Sequence, residues 1–290
     1  MKAGILKETF PGERRVALVP SLVSTITKAG VEVLVESGAG AEAGFLDSEY
    51  SDDGAQVLPS RSEVLAGADI LLQVRTLGAN PDAGQQDLQG MRSGQVVIGF
   101  AEPLTAKDEI QALAGAGLTL FAMELMPRIT RAQSMDALSS MATVAGYKAV
   151  LLAADSLAKM FPLMMAAAGT VNPARVLILG AGVAGLQAIA TARRLGAVVE
   201  AYDVRPVVKE QVESLGAKYV DLGLETEGAE DKGGYAKEQS EEFIRKQQEA
   251  LGRVAAENDV VITTAAVPGR KAPILLTANM VAMMSPGSIV

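Results

Sequence analysis

The sequence predicts an α/β protein of two domains with mostly parallel sheets, joined by a long helix. Three observations carry this reading. The chain has 290 residues, a length that favours two hydrophobic cores over one. It is 49% apolar with 29 Gly and only 4% aromatic residues, a balance common where short strands pack against Ala-rich helices. Its apolar period also switches repeatedly between that of strands and that of helices, which is the signature of βαβ units.

Taken in order, "AGIL", "PSLVSTITKAG" and "VEVLVESGAG" read as strand, helix and strand. Further strands are predicted at 69–74 ("DILLQV"), 94–100 ("GQVVIGF") and 117–125 ("GLTLFAMEL"), with helices near 61–67 and 105–116. These elements make a first domain, 1–130. Residues 131–160 then read as one helix, too long for a simple crossover, within a linking segment 131–165. "MMAAAGTVNPA" breaks the pattern with Gly169 and Pro173, and a second α/β series, 166–290, runs through "RVLILGAG", "AVVEAYD", "KYVDL" and "DVVITTA". Between 222 and 240 the chain is acidic and almost without large apolar residues, so it reads as a solvated loop. It exceeds the usual connection of about 4–6 residues, which leaves a functional mobile loop and plain disorder both open. The last residues, "MVAMMSPGSIV", read as a helix, a turn and the start of a buried strand, so the second domain is expected to be truncated at its C-terminus.

Composition narrows the chemistry. A net charge of −8 argues against a nucleic-acid partner, because phosphate backbones require a basic face. The absence of Cys removes disulfides and thiolate chemistry, and the absence of His removes the commonest general acid/base and the commonest zinc ligand. No apolar run is expected to reach the roughly 18–20 residues that cross a bilayer, and "MKAGILKETFPGERR" is too charged for a signal peptide, so a globular, soluble chain is expected.

The strongest motif lies in "RVLILGAGVAGLQAIATARRLGAVVEAYDVRP". Gly180, Gly182 and Gly185 form G-x-G-x-x-G directly between a strand run and a helical run. The first glycine suits a tight turn, the second admits a pyrophosphate against the backbone, and the third lets helix and strand pack closely. Asp203 closes the next strand about 20 residues on, where a carboxylate can accept both ribose hydroxyls and repel a 2′-phosphate. NAD(H) is therefore favoured over NADP(H), with Arg205 as a complication, since a nearby Arg is how NADP(H) sites take that phosphate.

Without His, a dehydrogenase of alcohols or amines would need Lys7, Lys148, Tyr147 or Asp136 as its acid/base. Hydride passing between two nicotinamide rings needs no such relay at the reacting carbons. The stretch "MPRITRAQSMDALSSMATVAGYKAV" (126–150) offers a polar partner for the fingerprint. Arg128, Arg131, Gln133, Asp136, Ser139 and Ser140 crowd into little more than three turns, and the last three can share a helix face and orient a carboxamide. Ordinary helix-start chemistry, with Thr130, Ser134 or Asp136 as caps, explains the same residues.

Together with "AAAGTVNPARVLILGAGVAGLQAIATARRLGA", "DVRPVVKEQVESLGAKYV", "GGYAKEQSEEF" and "ITTAAVPGRKAPILLT", that stretch closely resembles the NAD(H)-binding component of proton-translocating NAD(P) transhydrogenases. "KETFPGERRVALVP" resembles the start that these proteins share with alanine dehydrogenase. The resemblance implies two Rossmann-like domains with NAD(H) in the cleft between them, in a homodimer. It also implies that NADP(H) sits on a separate component, that hydride passes directly between the rings, and that transfer is coupled to protons through a membrane component. The location implied is cytoplasmic and peripheral, on the inner face of the plasma membrane.

Residue by residue, the family's loop falls on Arg128 to Asp136. The resemblance implies that Arg128, Asp136 and Ser139 orient the nicotinamide end, with Ile129 and Thr130 among the cofactor-binding positions, and that Gln133 also reaches toward the NADP(H) component. Arg128, Gln133 and Asp136 would be the residues nearest the reaction. Val183 would lie under the coenzyme, with Asp203, Val204 and Arg205 on the adenosine ribose side. Gly234 and Tyr235 match a mobile loop that closes over NAD(H). Gln247 and Ala266 match further nucleotide-side positions, although many relatives carry Leu at 266. Alanine dehydrogenase shares Arg15 but has Lys where this chain has Arg75, and it uses a His. Amino-acid oxidation and a non-catalytic NAD(H)-sensing module are thus the alternatives.

Overall fold

The computed structural model describes residues 1–224, 240–266, 269, 271, 272 and 274–290. They form two compact units, Met1–Ala137 and Leu138–Val290.

The first unit contains β1 (Lys2–Ile5), α1 (Val23–Lys28), β2 (Glu32–Glu36), α2 (Asp47–Asp52), β3 (Gln56–Leu58), α3 (Arg61–Gly67), β4 (Ile70–Arg75), α4 (Pro81–Gly90), β5 (Val96–Phe100), α5 (Lys107–Gly115) and β6 (Thr119–Ala122). All of its strands pair in parallel, in the order β3-β2-β1-β4-β5-β6. Successive side chains point to opposite faces, and both faces are covered. Val33 and Val35 pack with Ile5, Val23 and Tyr50, whereas Leu34 packs with Leu71, Val64 and Val97. That double burial is why "EVLVE" and "ILLQV" carry little polar alternation. Strand order reverses at β1, so the residues after β1 and β4 emerge side by side at a topological switch point.

The second unit contains α6 (Ala137–Ser156), β7 (Met164–Ala166), β8 (Gly169–Val171), β9 (Arg175–Leu179), α7 (Val183–Arg194), β10 (Val198–Tyr202), α8 (Lys209–Ser214), β11 (Lys218–Tyr219), α9 (Glu241–Ala256), β12 (Val260–Thr263) and α10 (Ala278–Ala282). Its main sheet is again parallel, in the order β11-β10-β9-β12, and Ile289 adds a parallel bridge to Val260, where the sequence suggests a strand begins. Val176 and Ile178 face a core that includes Val150 and Ala153 of α6 and Ala188 and Ile189 of α7. Leu177 and Leu179 face the other core, with Leu251 and Ala255 of α9 and Met280 of α10. Two doubly wound parallel sheets are thus the α/β, Rossmann-like fold that the sequence predicts.

Two features differ from the sequence reading. The long helix starts at Ala137 rather than 131, because Thr130–Met135 winds as a 3-10 turn, and it ends at Ser156. It also corrects the expectation that no run is long and apolar enough to cross a bilayer. By length and composition α6 is, with 17% of its apolar window buried. Ala, Leu and Val supply that hydropathy, and Lys148 and Asp155 are its only charged residues. The helix is held to its unit by a narrow stripe of Gly146, Val150 and Ala153, at the 4- and 3-residue spacing of one helix face. The antiparallel pair β7–β8, turned through Ala167 and Ala168 into Gly169 at φ +123°, occupies the stretch read only as a break in pattern.

Candidate functional site

The three glycines of the G-x-G-x-x-G motif meet different surroundings in the second unit. Gly180 follows β9 at φ +99°, a left-handed conformation that favours glycine. A Cβ at Gly185 would lie 1.8 Å from the Gly180 carbonyl oxygen, so the first turn of α7 packs directly onto the strand end. Gly182, the residue before α7, is different: a Cβ there would meet nothing within 4 Å. The open side of the turn lies at the start of a twelve-residue helix, whose first N–H groups lack intrahelical partners and favour an anion. The cradle that a side chain at 182 would fill is where a pyrophosphate fits, so these residues suit a dinucleotide.

Two further contacts brace the turn. Thr264, just past β12, donates its N–H to the Leu179 carbonyl and its hydroxyl to the Gly180 carbonyl, both at 2.8 Å. Sequence reasoning misses Thr264, because "ITTAA" does not say which threonine faces the neighbouring strand. Asp203, one residue past β10 and buried, accepts the Ala181 N–H at 2.8 Å. Its carboxylate also accepts the backbone N–H, Nε and Nη2 of Arg205, each at 2.9 Å. Tyr219 donates its hydroxyl to the Asp203 carbonyl at 2.7 Å, and burial pushes that phenol up to about 12.

The other expected positions divide between the two units. In the second, Val183 is 41% exposed at the start of α7 and Val204 is half-buried. Gln247 is buried and donates its amide to the Tyr202 hydroxyl at 2.8 Å, which leaves its carbonyl oxygen as the group that could face a nucleotide. Ala266 is exposed after Thr264, and Ser139 is half-buried in the first turn of α6. Gly234 and Tyr235 lie outside the described residues. In the first unit, Arg128, Ile129, Thr130 and Gln133 are exposed around the 3-10 turn, whose Ala132 is buried, and Asp136 stands immediately before α6. Glu124, just upstream, accepts the N–H groups of Ala101 and Glu102, each at 2.8 Å, and so ties the approach to that turn to the end of β5.

The first unit has its own polar cluster at its switch point. Arg15 forks onto Glu13 through Nε at 2.7 Å and Nη2 at 2.6 Å, and Arg75 Nε adds a bond at 3.0 Å. Arg75 also lies 4.2 Å over the Phe10 ring. Both guanidinium groups are therefore already joined to an internal carboxylate. Among the described residues there is no cluster of potential metal ligands. The Arg15 hydrogen bonds hold the Glu13 carboxyl down to about 2, against opposing burial. A carboxyl with a lowered folded pKa stabilises the fold above its unfolded value, near 4.5, and loses that contribution as pH falls toward 2. Urea unfolding should accordingly show a loss of stability between pH 4.5 and 2 that is smaller in Glu13→Gln. Identical pH slopes in the two proteins would contradict the assignment.

A parallel, doubly wound sheet whose first strand leads through three glycines into a helix, with a carboxylate ending the second strand, defines a dinucleotide-binding protein. Comparison with known proteins narrows the class. The description "Alanine dehydrogenase/PNT, N-terminal domain" matches residues 4–145, and "Alanine dehydrogenase/PNT, C-terminal domain" matches 149–290. The chain belongs to the alanine dehydrogenase/PNT family. The first of the chains that make up NAD(P) transhydrogenase subunit alpha in Rhodospirillum rubrum is 48% identical over 291 residues, covering 100% of this chain and 76% of that protein. The crystal structure of transhydrogenase from Sinorhizobium meliloti superposes with a TM-score of 0.85 at 47% identity, covering 100% of this chain and 77% of that one. Alanine dehydrogenase of Mycobacterium tuberculosis is 31% identical over 297 residues, covering 100% of this chain and 71% of that enzyme. The resemblance read from the sequence is thus to the transhydrogenase branch of the family, and the chain is similar to alpha subunits of a multi-subunit oxidoreductase.

Proposed function

We propose that this chain is the NAD(H)-binding component of a proton-translocating NAD(P) transhydrogenase. The observation that carries the reading is the open cradle at Gly182, set between a braced strand end and the start of α7 with Asp203 beside it. Bound there, NAD(H) supplies or accepts a hydride at its nicotinamide. The residues of this chain bind and orient it. The N–H groups at the start of α7 hold the pyrophosphate, Asp203 holds the adenosine ribose, and Val183 packs beneath the coenzyme. Arg128, Asp136 and Ser139 orient the nicotinamide end, while Gln133 meets NADP(H) carried on a partner component. A membrane component couples the transfer to protons, which places this chain on the cytoplasmic face. Exposed Val144, Tyr147 and Leu152 on α6 and Met164, Met165 and Val171 on β7–β8 leave apolar surface for a second copy to cover, which supports a homodimer.

The His-free chain and the Glu13 carboxylate already seated on Arg15 and Arg75 support this reading over amino-acid oxidation. The test separates binding from transfer at Gln133, an exposed residue whose proposed role is toward the partner. Gln133→Asn should leave the NADH dissociation constant within about twofold, under about 0.5 kcal/mol, and slow partner-dependent transfer at least about tenfold. Weakened NADH binding with normal transfer per bound coenzyme would overturn the role.

A further inference from the structure

The Asp203 carboxylate already holds four donors. Oδ2 accepts Ala181 N at 2.8 Å and Arg205 Nη2 at 2.9 Å, and Oδ1 accepts Arg205 N and Arg205 Nε, both at 2.9 Å. A carboxylate offers about four acceptor positions in all, so no position remains for a ribose hydroxyl. Two of the four donors are backbone N–H groups, one fixed in the glycine turn and the other at the start of the Pro206–Val208 turn. Only the two guanidinium bonds can be exchanged by a side-chain rotation. Two is also the number of hydroxyls that an adenosine ribose presents.

We propose that Arg205 is a specificity-determining gate: its guanidinium occupies the ribose side of Asp203 and must leave when the coenzyme enters. This inference rests on reading the second unit as an NAD(H) site. It assigns coenzyme choice to the pair rather than to Asp203 alone. The side chains of Arg205 and Asp203 are 15% and 6% exposed, so the fork is not a screened surface pair, and breaking it opposes NADH binding. A guanidinium fork suits phosphate as well as carboxylate. An ionised Asp203 therefore does two things at once: it repels a 2′-phosphate, and it draws to itself the cation that would otherwise receive one. With Asn at 203 the charge repulsion disappears and the competing partner keeps only one neutral acceptor oxygen, so Arg205 is freer to meet a phosphate at the ribose 2′ position.

The experiment is a calorimetric titration of the full chain with NADH and, separately, NADPH, in wild type, Arg205→Gln, Asp203→Asn and the double variant. Arg205→Gln is expected to bind NADH about 3–10-fold more tightly and to remain a poor binder of NADPH. Asp203→Asn should weaken NADH and strengthen NADPH, each by at least about tenfold, and the NADPH gain should vanish in the double variant. Arg205→Lys keeps the charge but cannot fork, and is expected to fall between wild type and Arg205→Gln. If Arg205→Gln melts early, the Arg205→Lys titration decides. NADH affinity that is unchanged or weaker without the fork, or an NADPH gain that survives in the double variant, would overturn the gate while leaving the NAD(H) site intact. A wild-type chain that binds neither coenzyme would overturn the site and the gate together.

Discussion

Gly185→Ala is expected to weaken NADH binding at least about 100-fold and to lower the melting temperature. Alanine in a helix interior is favoured over glycine by about 1 kcal/mol, so propensity alone predicts a gain. Packing opposes it and wins. The new Cβ would lie 1.8 Å from the Gly180 carbonyl oxygen, a backbone atom that the Thr264 hydroxyl also holds, and 3.1 Å from that hydroxyl oxygen. Relief requires α7 to withdraw from β9, at a cost of about 1–3 kcal/mol or more, and the N–H groups of the phosphate cradle withdraw with it. Gly182→Ala is the control inside the same motif. Its Cβ meets nothing in the protein, so stability should hold while NADH binding weakens. Fluorescence titration beside thermal melting checks both variants. A Gly182→Ala chain with normal NADH affinity would remove the pyrophosphate from this turn.

Gly146→Ala should destabilise the second unit from a position remote in sequence from the motif. Its Cβ would lie 2.0 Å from the Ala184 carbonyl oxygen, so α6 is pressed against the first turn of α7 with no room for a methyl. The helix-propensity gain is again about 1 kcal/mol, and the overlap should exceed it, for a net loss of about 2 kcal/mol. In a unit of this size that corresponds to a melting temperature lower by roughly 4–8 °C. NADH affinity should fall too, because the start of α7 moves. An unchanged melting temperature would mean that α6 can slide along α7, and that its glycine is not what sets their approach.

Much of this is legible in the sequence because short-range physics dictates it. The strands of both sheets read correctly where apolar runs such as "ILLQV" and "RVLIL" are buried on two faces. The three glycines take separate roles from spacing alone, and their clearances in the structure differ in the same order. What escapes a linear reading depends on contacts distant in sequence. Nothing within "GERR" says that Glu13 collects Arg15 and, from 62 residues away, Arg75. Asp203 and Arg205 look like rival signals for NAD(H) and NADP(H), whereas in the fold they form one fork. The long helix seems to begin early because Thr130–Met135 has helical composition but winds as a 3-10 turn. The hairpin at 164–171 is hidden because strands of three residues carry too little periodicity to register.

The central claim is that this chain presents NAD(H) to a second coenzyme on another protein. It is tested most directly by following hydride transfer from NADPH to an oxidised NAD analogue, with and without a purified NADP(H)-binding transhydrogenase component. The account predicts transfer that requires both proteins and saturates as the partner is added. NADH oxidation by a 2-oxo acid and ammonia without any partner would contradict it, as would NADH binding at normal affinity with no transfer at saturating partner.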